Sequence, residues 1–359
     1  LSEKERKVTQ DGSGGRLSRG DFLKLGGVGV AGMAVLGAAG CGGSSAQGSG
    51  GESKSGGGQT YSFRLADDQP QDYPTVIGDK KFASLVQKRT GGRIKIKVFP
   101  NAQLGAETDV AHQVQAGSIE FARINASPLA EFDKDLGVFS LPYIFDSSEH
   151  MWRFLNSKTG EALLDSLQSA RMQGLAYYDS GARSFYTRKG IIVRSPKDMH
   201  GLKIRVQQSK INTQLMNALG ASATPMDYGE VYTALQNGVV DGAENNWPSY
   251  YTSKHYEVAP NYTLDEHTRI PEVLLISKAT WDKLSKQDQK IIKKAARDSV
   301  AVQRKSWDAL VQKSKSKVRA AGNNIIHVNR KPWKDAVKPM ISRYQGEYGK
   351  YLKVINSLA

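Results

Sequence analysis

The residues best suited to chemistry in this chain cluster between Gly201 and Pro248. Arg205 sits in Lys203-Ile-Arg-Val206, a short run that reads as a buried strand carrying one arginine. Asn212 to Leu219 reads as a helix closed by Gly220, Ser222 to Met226 as a second strand, and Tyr228 to Asn237 as a second helix ended by Gly238. Val239 to Glu244 then returns as a third strand and delivers Asn245 and Asn246 into the loop beyond its C-terminal end. Ligands bind outside the carboxyl ends of strands in open α/β sheets. An arginine fork can hold a carboxylate through two parallel hydrogen bonds, and two carboxamides offer donors and acceptors to hydroxyls. Such groups grip and orient a small polar acid and are poor equipment for breaking bonds. From the residues alone, Arg205 suits an internal ion pair with Asp or Glu equally well, and Asn245 suits a turn.

Other polar residues lie in comparable loops. Phe63-Arg-Leu-Ala66 reads as a strand leading to Asp68, Gln69 and Tyr73, and a helix follows near Asp79 to Lys88. Arg93 to Phe99 alternates Ile94, Ile96 and Val98 with Lys95 and Lys97, the pattern of a half-buried strand. Glu107 precedes a helix over Asp109 to Ala116, and the strand Ile119 to Ile124 leads into Asn125. This alternation argues for an α/β fold with mainly parallel sheets. Ser285-Lys-Gln-Asp288 has the form of a capping box. The charged helix it opens, reaching about Ala321, would span roughly 54 Å if unbroken. No GxSxG, P-loop or GxGxxG follows the first strand, and the six histidines show no HExxH or paired spacing. No cofactor and no catalytic metal are expected. A lone histidine such as His267 is more often structural than a ligand.

Several stretches carry a resemblance: "GLKIRV", "ALGASATPMDYGEVYTALQNGVVDGAENN" and "SKHYEVA", with "RTGGRIKIKVFPNAQLGAE", "QAGSIEFA" and "LPYIFDSSEHMW" before them and "LSKQDQKIIKKAA" after. From Tyr61 to Ile326 the chain resembles the solute-binding proteins of tripartite ATP-independent periplasmic (TRAP) transporters, the DctP family. The resemblance implies an α/β fold of two lobes, periplasmic-binding-protein-like (type II-like), with mixed sheets flanked by helices and a long C-terminal bracing helix. It implies lobe I from residues 61–182 with 271–310 and lobe II from 183–270 with 311–359, the chain crossing near Gly181 and near Arg269-Ile270-Pro271. Arg205 matches the arginine that fixes the substrate carboxylate in the family. Arg183 matches a second family arginine, which could instead hold the hinge or orient a neighbouring carboxylate. Asn245 matches the asparagine after "DGxE"; the sequence then reads "ENNWP" rather than "ENP", so Asn246 and Trp247 are expected to add contacts or reshape the pocket. Asp68, Gln69, Tyr73, Glu107 and Asn125 are expected on the opposing lobe, with Tyr228 and His267 as further candidates.

The implied function is an extracytoplasmic receptor, expected as a monomer, that closes on a small organic acid and hands it to TRAP membrane permease subunits. The segment "DGAENNWPSYYTSKHYEVA" resembles sugar-acid members, which favours a uronate or aldonate. C4-dicarboxylates and keto acids are the alternatives within the class. A ligand-binding partner of a membrane sensor and an exported hydrolase are the alternatives outside it.

The formal net charge is +15, of which residues 1–40 contribute +2. The lysines are dispersed along helices without interleaved aromatics, so no nucleic-acid partner is expected. Residues 1–41 read as a lipoprotein export signal. Arg19 and Lys24 precede an uncharged run from Leu25 to Gly40, which leads to Cys41, the single cysteine. Gly20 stands where a twin-arginine signal would carry its second arginine, so the export route stays open. Residues 42–60 form a Gly/Ser-rich tether whose flexible part has a reach of roughly 24 Å. The protein is therefore expected to be extracytoplasmic and lipid-anchored at the outer face of the cytoplasmic membrane. Cys41→Ser should release it from the membrane fraction or leave it unprocessed. Equal membrane association of mutant and wild type would sink the anchor.

Overall fold

The structure, a computed structural model, describes residues 59–359. The export signal, Cys41 and all but the last two residues of the tether lie outside the described residues. Along the chain the strands are β1 (Tyr61–Ala66), β2 (Ile94–Phe99), β3 (Phe121–Asn125), β4 (Met172–Tyr178), β5 (Arg183–Thr187) and β6 (Lys203–Val206). They continue as β7 (Ser222–Pro225), β8 (Gly242–Asn245), β9 (Asn261–Thr268), β10 (Glu272–Ser277) and β11 (Asn324–His327).

Two sheets result, ordered β2-β1-β3-β10-β4 and β11-β9-β5-β8-β6-β7. The expectation of mainly parallel sheets needs correcting. β10 runs antiparallel to both β3 and β4, and β5 runs antiparallel to both β8 and β9. The reason is connectivity: β4 to β5 and β9 to β10 pass directly from one sheet to the other through short links. A strand entering this way need not follow a right-handed helical crossover.

β2 lies at a sheet edge, where Lys95 is exposed while Ile94 is fully buried. The interior strands β3 and β10 are buried along their whole length. Phe63, Leu65, Phe121 and Leu274 of the first sheet pack against Phe82 and Val86 of the helix Pro74–Arg89 and against Ile292 and Ala296 of the helix Lys286–Ala320. The second sheet has an aromatic core in which Tyr250 stacks on Tyr262 with ring centroids 4.6 Å apart. Among the described residues no helix is long and apolar enough to cross a membrane.

The long helix is continuous over Lys286–Ala320, 35 residues, or about 52 Å at 1.5 Å per residue. Ser285 caps it by accepting from the Asp288 amide. It lies along the helix Pro74–Arg89 and β4, and farther on it contacts the helix Trp247–Thr252, which follows β8. It thus touches elements belonging to both sheets. The last helix, Gln345–Ser357, was expected with lobe II. Its buried face instead meets segments that precede β4: Tyr348 donates to the Lys134 carbonyl at 2.9 Å and Tyr351 to Asp135 at 2.6 Å.

Where β4 gives way to β5, the long helix grips the chain through one side chain. The buried Gln303 donates to the Asp179 carbonyl at 2.8 Å and accepts from the Asp179 amide at 2.9 Å. Nearby, Gly181 adopts φ +63°, and a Cβ there would come within 2.9 Å of the Trp307 ring. Gln303→Leu preserves volume but orphans both backbone groups, at a cost of about 1–3 kcal/mol each. A clear drop in melting temperature with unchanged secondary structure is expected. A melting temperature equal to wild type would remove Gln303 as the clamp.

Candidate functional site

β5, β6 and β8 are neighbours in the second sheet, and their ends present Arg183, Arg205 and Asn245 together. Close packing of β8 depends on Gly242, because a Cβ there would meet the Tyr186 carbonyl oxygen at 2.6 Å. The first sheet supplies the facing wall from β3, β10, the segment after β1 and the start of the helix after β2.

Arg205 is only 2% exposed. Its Nε and Nη2 donate to the Met226 carbonyl at 3.0 and 2.7 Å. Among the described residues it forms no ion pair, and Nη1 has no partner. Burial holds its pKa below the ordinary arginine value, partly offset by Glu244. A guanidinium does not deprotonate at working pH, so it stays a buried and poorly neutralised cation.

Arg183 is differently placed. Its Nε and Nη2 donate to the Glu244 carboxylate at 2.5 and 2.7 Å, Nη2 also to the Glu244 carbonyl, and Nη1 to the Asn245 side-chain oxygen at 3.0 Å. Burial opposes its charge, but Glu244 more than compensates and raises its pKa. Behind this pair, His267 stacks on Phe185 and lies between Asp265 at 2.9 Å and Glu244 at 3.5 Å. Despite burial, those two carboxylates push His267 up to about 9. Burial likewise opposes the Glu244 charge, yet Arg183 and His267 bring Glu244 down to about 2. His267, expected as a candidate contact, is instead a buried support and lines neither cavity described below.

The first-sheet wall is built around Arg123 of β3. All five of its N–H groups are used: Nε and Nη2 on Asp67, Nη2 also on Asp68, and Nη1 on Glu107 and Glu272, both at 2.7 Å. Burial opposes the Arg123 charge, but the four carboxylates raise its pKa well above normal. The carboxylates outnumber their cation. Burial first, and Asp68 second, push Glu107 up to about 8. Burial is also the leading cause of the raised values of Asp68 and Glu272. The Asn125 amide donates to Glu107 and its side chain to Glu272, both at 2.9 Å.

An inner cavity of ≈ 20 Å³ is lined by Asp68, Gln69, Tyr73, Glu107, Asn125, Arg183, Arg205, Tyr228, Asn245 and Asn246, and by neither His267 nor Trp247. Arg123, Gln207, Ser249 and Glu272 complete it. Asp68, Glu107, Arg205, Gln207 and Tyr228 also line an adjoining cleft of ≈ 500 Å³. Hydrogen bonds tie the two sides across the cavity. Tyr73 shares one with Ser249 at 2.8 Å, and Thr108 donates to Gln208 at 2.8 Å. Asn246 caps the helix Trp247–Thr252 by accepting from the Ser249 amide at 2.8 Å, so only part of its carboxamide is available to a ligand. Tyr228 bonds to Ser253 at 2.5 Å. Among the described residues no set of three His, Cys, Asp or Glu side chains is arranged to hold a metal ion.

One missed residue had a readable signal. Arg123 lies two positions from the named candidate Asn125 in β3, and residues i and i+2 of a strand share a face. Glu272 had none, since it comes opposite Asn125 only through the β3–β10 register.

The fold and this cavity define a two-sheet α/β binding protein whose polar cavity is walled by both sheets. Residues 65–347 match the bacterial extracellular solute-binding proteins, family 7 (DctP), and the chain belongs to that family. It is similar to a TRAP periplasmic solute-binding protein from Bradyrhizobium sp. BTAi1 solved in complex with α/β-D-galacturonate (46% identity, TM-score 0.81, 83% of this chain and 100% of that one). It is also similar to one from Chromohalobacter salexigens DSM 3043 with bound D-glucuronate (37% identity, TM-score 0.79, 82% of this chain and 98% of that one). A solute-binding protein of Chromohalobacter salexigens is 41% identical over 246 residues, covering 68% of this chain and 73% of the relative. The family is extracellular, as its description states.

The charges predict a pH dependence of the ligand-free protein. His267 has a raised folded pKa, so its contribution is full below about 6.5 and lost as pH rises through about 9. Glu107, an acid with a raised folded pKa, costs stability progressively as pH climbs from about 4.5 to about 8. The melting temperature should therefore fall between pH 6.5 and 9, and His267→Gln should flatten the upper part of the slope. A wild-type curve that is flat or rising across this window would contradict the assigned charges.

Proposed function

We propose that this protein is the receptor of a TRAP transporter and captures a hexuronate, a sugar acid with one carboxylate and several hydroxyls. Arg205 carries the reading: it is a buried guanidinium with no carboxylate partner among the described residues, lining a cavity rich in hydroxyl partners. A ligand carboxylate would supply the missing counter-charge through a bidentate pair. Asp68, Glu107, Asn125 and Asn245 would take the hydroxyls. The family relatives solved with galacturonate and glucuronate support the same chemistry. In this reading Arg183 positions Glu244 and Asn245 rather than gripping the carboxylate alone.

The two sheets with their helices act as the two lobes, and the 179–182 and 269–271 links as the hinge. Ligand that touches both walls favours the closed form by its differential affinity for it. The protein binds and releases its ligand unchanged, works as a monomer, and delivers it to membrane permease subunits. The anchor at Cys41 would hold the receptor near that permease.

Calorimetry with galacturonate and glucuronate tests the reading directly. Losing the partner of a buried charge costs roughly 3–5 kcal/mol, so Arg205→Ala should weaken uronate binding by about two to four decades. Arg205→Lys should recover part of the loss, because a point charge cannot match both oxygens. Near-normal affinity in folded Arg205→Ala would remove Arg205 from the site. Stabilisation by C4-dicarboxylates and not by uronates would overturn the ligand class.

A further inference from the structure

The two walls of the cavity differ in charge. On the second-sheet side, Glu244 neutralises Arg183 while Arg205 is left over. On the first-sheet side, the single cation Arg123 faces Asp67, Asp68, Glu107 and Glu272. Every N–H of Arg123 is already committed, so it has no donor left for a ligand. Meanwhile Glu107 Oε2 and Asp68 Oδ2 have no hydrogen-bond partner among the described residues. Neither is one of the fully enclosed unsatisfied atoms, and both residues line the cavity and the adjoining cleft. These oxygens can accept from hydroxyls. When ionised, they can offer nothing to a second carboxylate.

We propose that the carboxylate wall around Arg123 makes the protein selective for monocarboxylate sugars, admitting uronates and rejecting the corresponding dicarboxylates (aldarates). The inference rests on the uronate reading above, with the ligand carboxylate on Arg205. The far end of a six-carbon chain held there must lie against the first-sheet wall. A terminal aldehyde carbon in its ring form presents a hydroxyl that donates to Glu107 or Asp68. A terminal carboxylate presents two more acceptors, and above about pH 8, where Glu107 is ionised, it meets a wall in excess of negative charge. Specificity of this kind comes from repulsion of the wrong ligand as much as from attraction of the right one. Behind this wall the fully buried residue Asp79, both of whose oxygens are unpartnered, is a further acid and not a cation that could relieve the clash.

Competition calorimetry on the full chain should compare galacturonate, galactonate and galactarate. Like charges brought together at a binding surface cost several kcal/mol, so at pH 9, with Glu107 ionised, galactarate should bind at least about 100-fold more weakly than galacturonate. Galactonate, an open chain with one carboxylate, should bind better than galactarate. At pH 9, Glu107→Gln and Asp68→Asn should each raise the galactarate-to-galacturonate affinity ratio by about tenfold or more. In the wild type the same ratio should rise as pH falls from 9 to 6, because protons added to Glu107 and its neighbours discharge the wall. This pH series decides the matter even if a variant fails to fold. A ratio that moves less than threefold in the folded variants or across the pH series would overturn the selectivity mechanism and leave uronate binding intact. Failure of wild type to bind any uronate would bring down the uronate reading and this inference with it.

Discussion

Burying charge between two sheets is the constraint on which the rest of the site depends. An unpaired ion taken out of water is expensive, and a paired one is tolerable only with its remaining hydrogen bonds satisfied. Among the described residues the protein meets this requirement at two of three buried arginines. Arg183 is enclosed by Glu244 and Asn245, and Arg123 by four carboxylates. Arg205 is the exception, holding only the Met226 carbonyl. In the proposed function an anionic ligand would supply the counter-charge that Arg205 lacks among the described residues.

The supporting residues make sense in the same terms. Asp265 and Glu244 hold His267, and His267 and Arg183 together keep Glu244 ionised well below the usual carboxylate range. This chain of alternating charge fixes Arg183 and, through it, the Asn245 side chain. Positioning of this kind locks the rotamers of groups at the cavity wall before a ligand arrives, and so reduces the ordering cost of binding. The Arg123 cluster does the same for Glu107 and Asp68, whose inner oxygens are tied down while their outer ones stay available.

The long helix links these charges to mechanics. Gln303 holds the backbone at Asp179, and Trp307 meets Tyr73 edge-on with ring centroids 6.1 Å apart. Tyr73 in turn bonds across the cavity to Ser249. One rigid element therefore touches a crossing between the sheets and a residue that bridges the two walls. Motion of the walls would have to repack this helix, and packed interfaces change between discrete arrangements more readily than they deform.

Local pattern determined much of this protein. Alternation in Ile94–Phe99, the Gly-closed helices and the capping serine of Lys286–Ala320 are visible in the chain, because each depends on neighbours within a few positions. Asp68, Gln69, Tyr73 and Glu107 were legible as polar side chains in segments after strands, whereas Arg183 came only from the family resemblance. The role of each arginine was not legible. Whether Arg205 or Arg183 meets a carboxylate of the protein depends on which strand lies beside it, and Glu244 falls beside Arg183 only through the antiparallel β5–β8 pairing. Arg123 and Glu272 were brought together by β3 and β10, strands 149 positions apart at that contact. The candidate ligand His267 became a support because β9 buries it against Phe185. Sequence declared which groups could carry charge; tertiary pairing decided which charges were cancelled, and hence which one remained for a ligand.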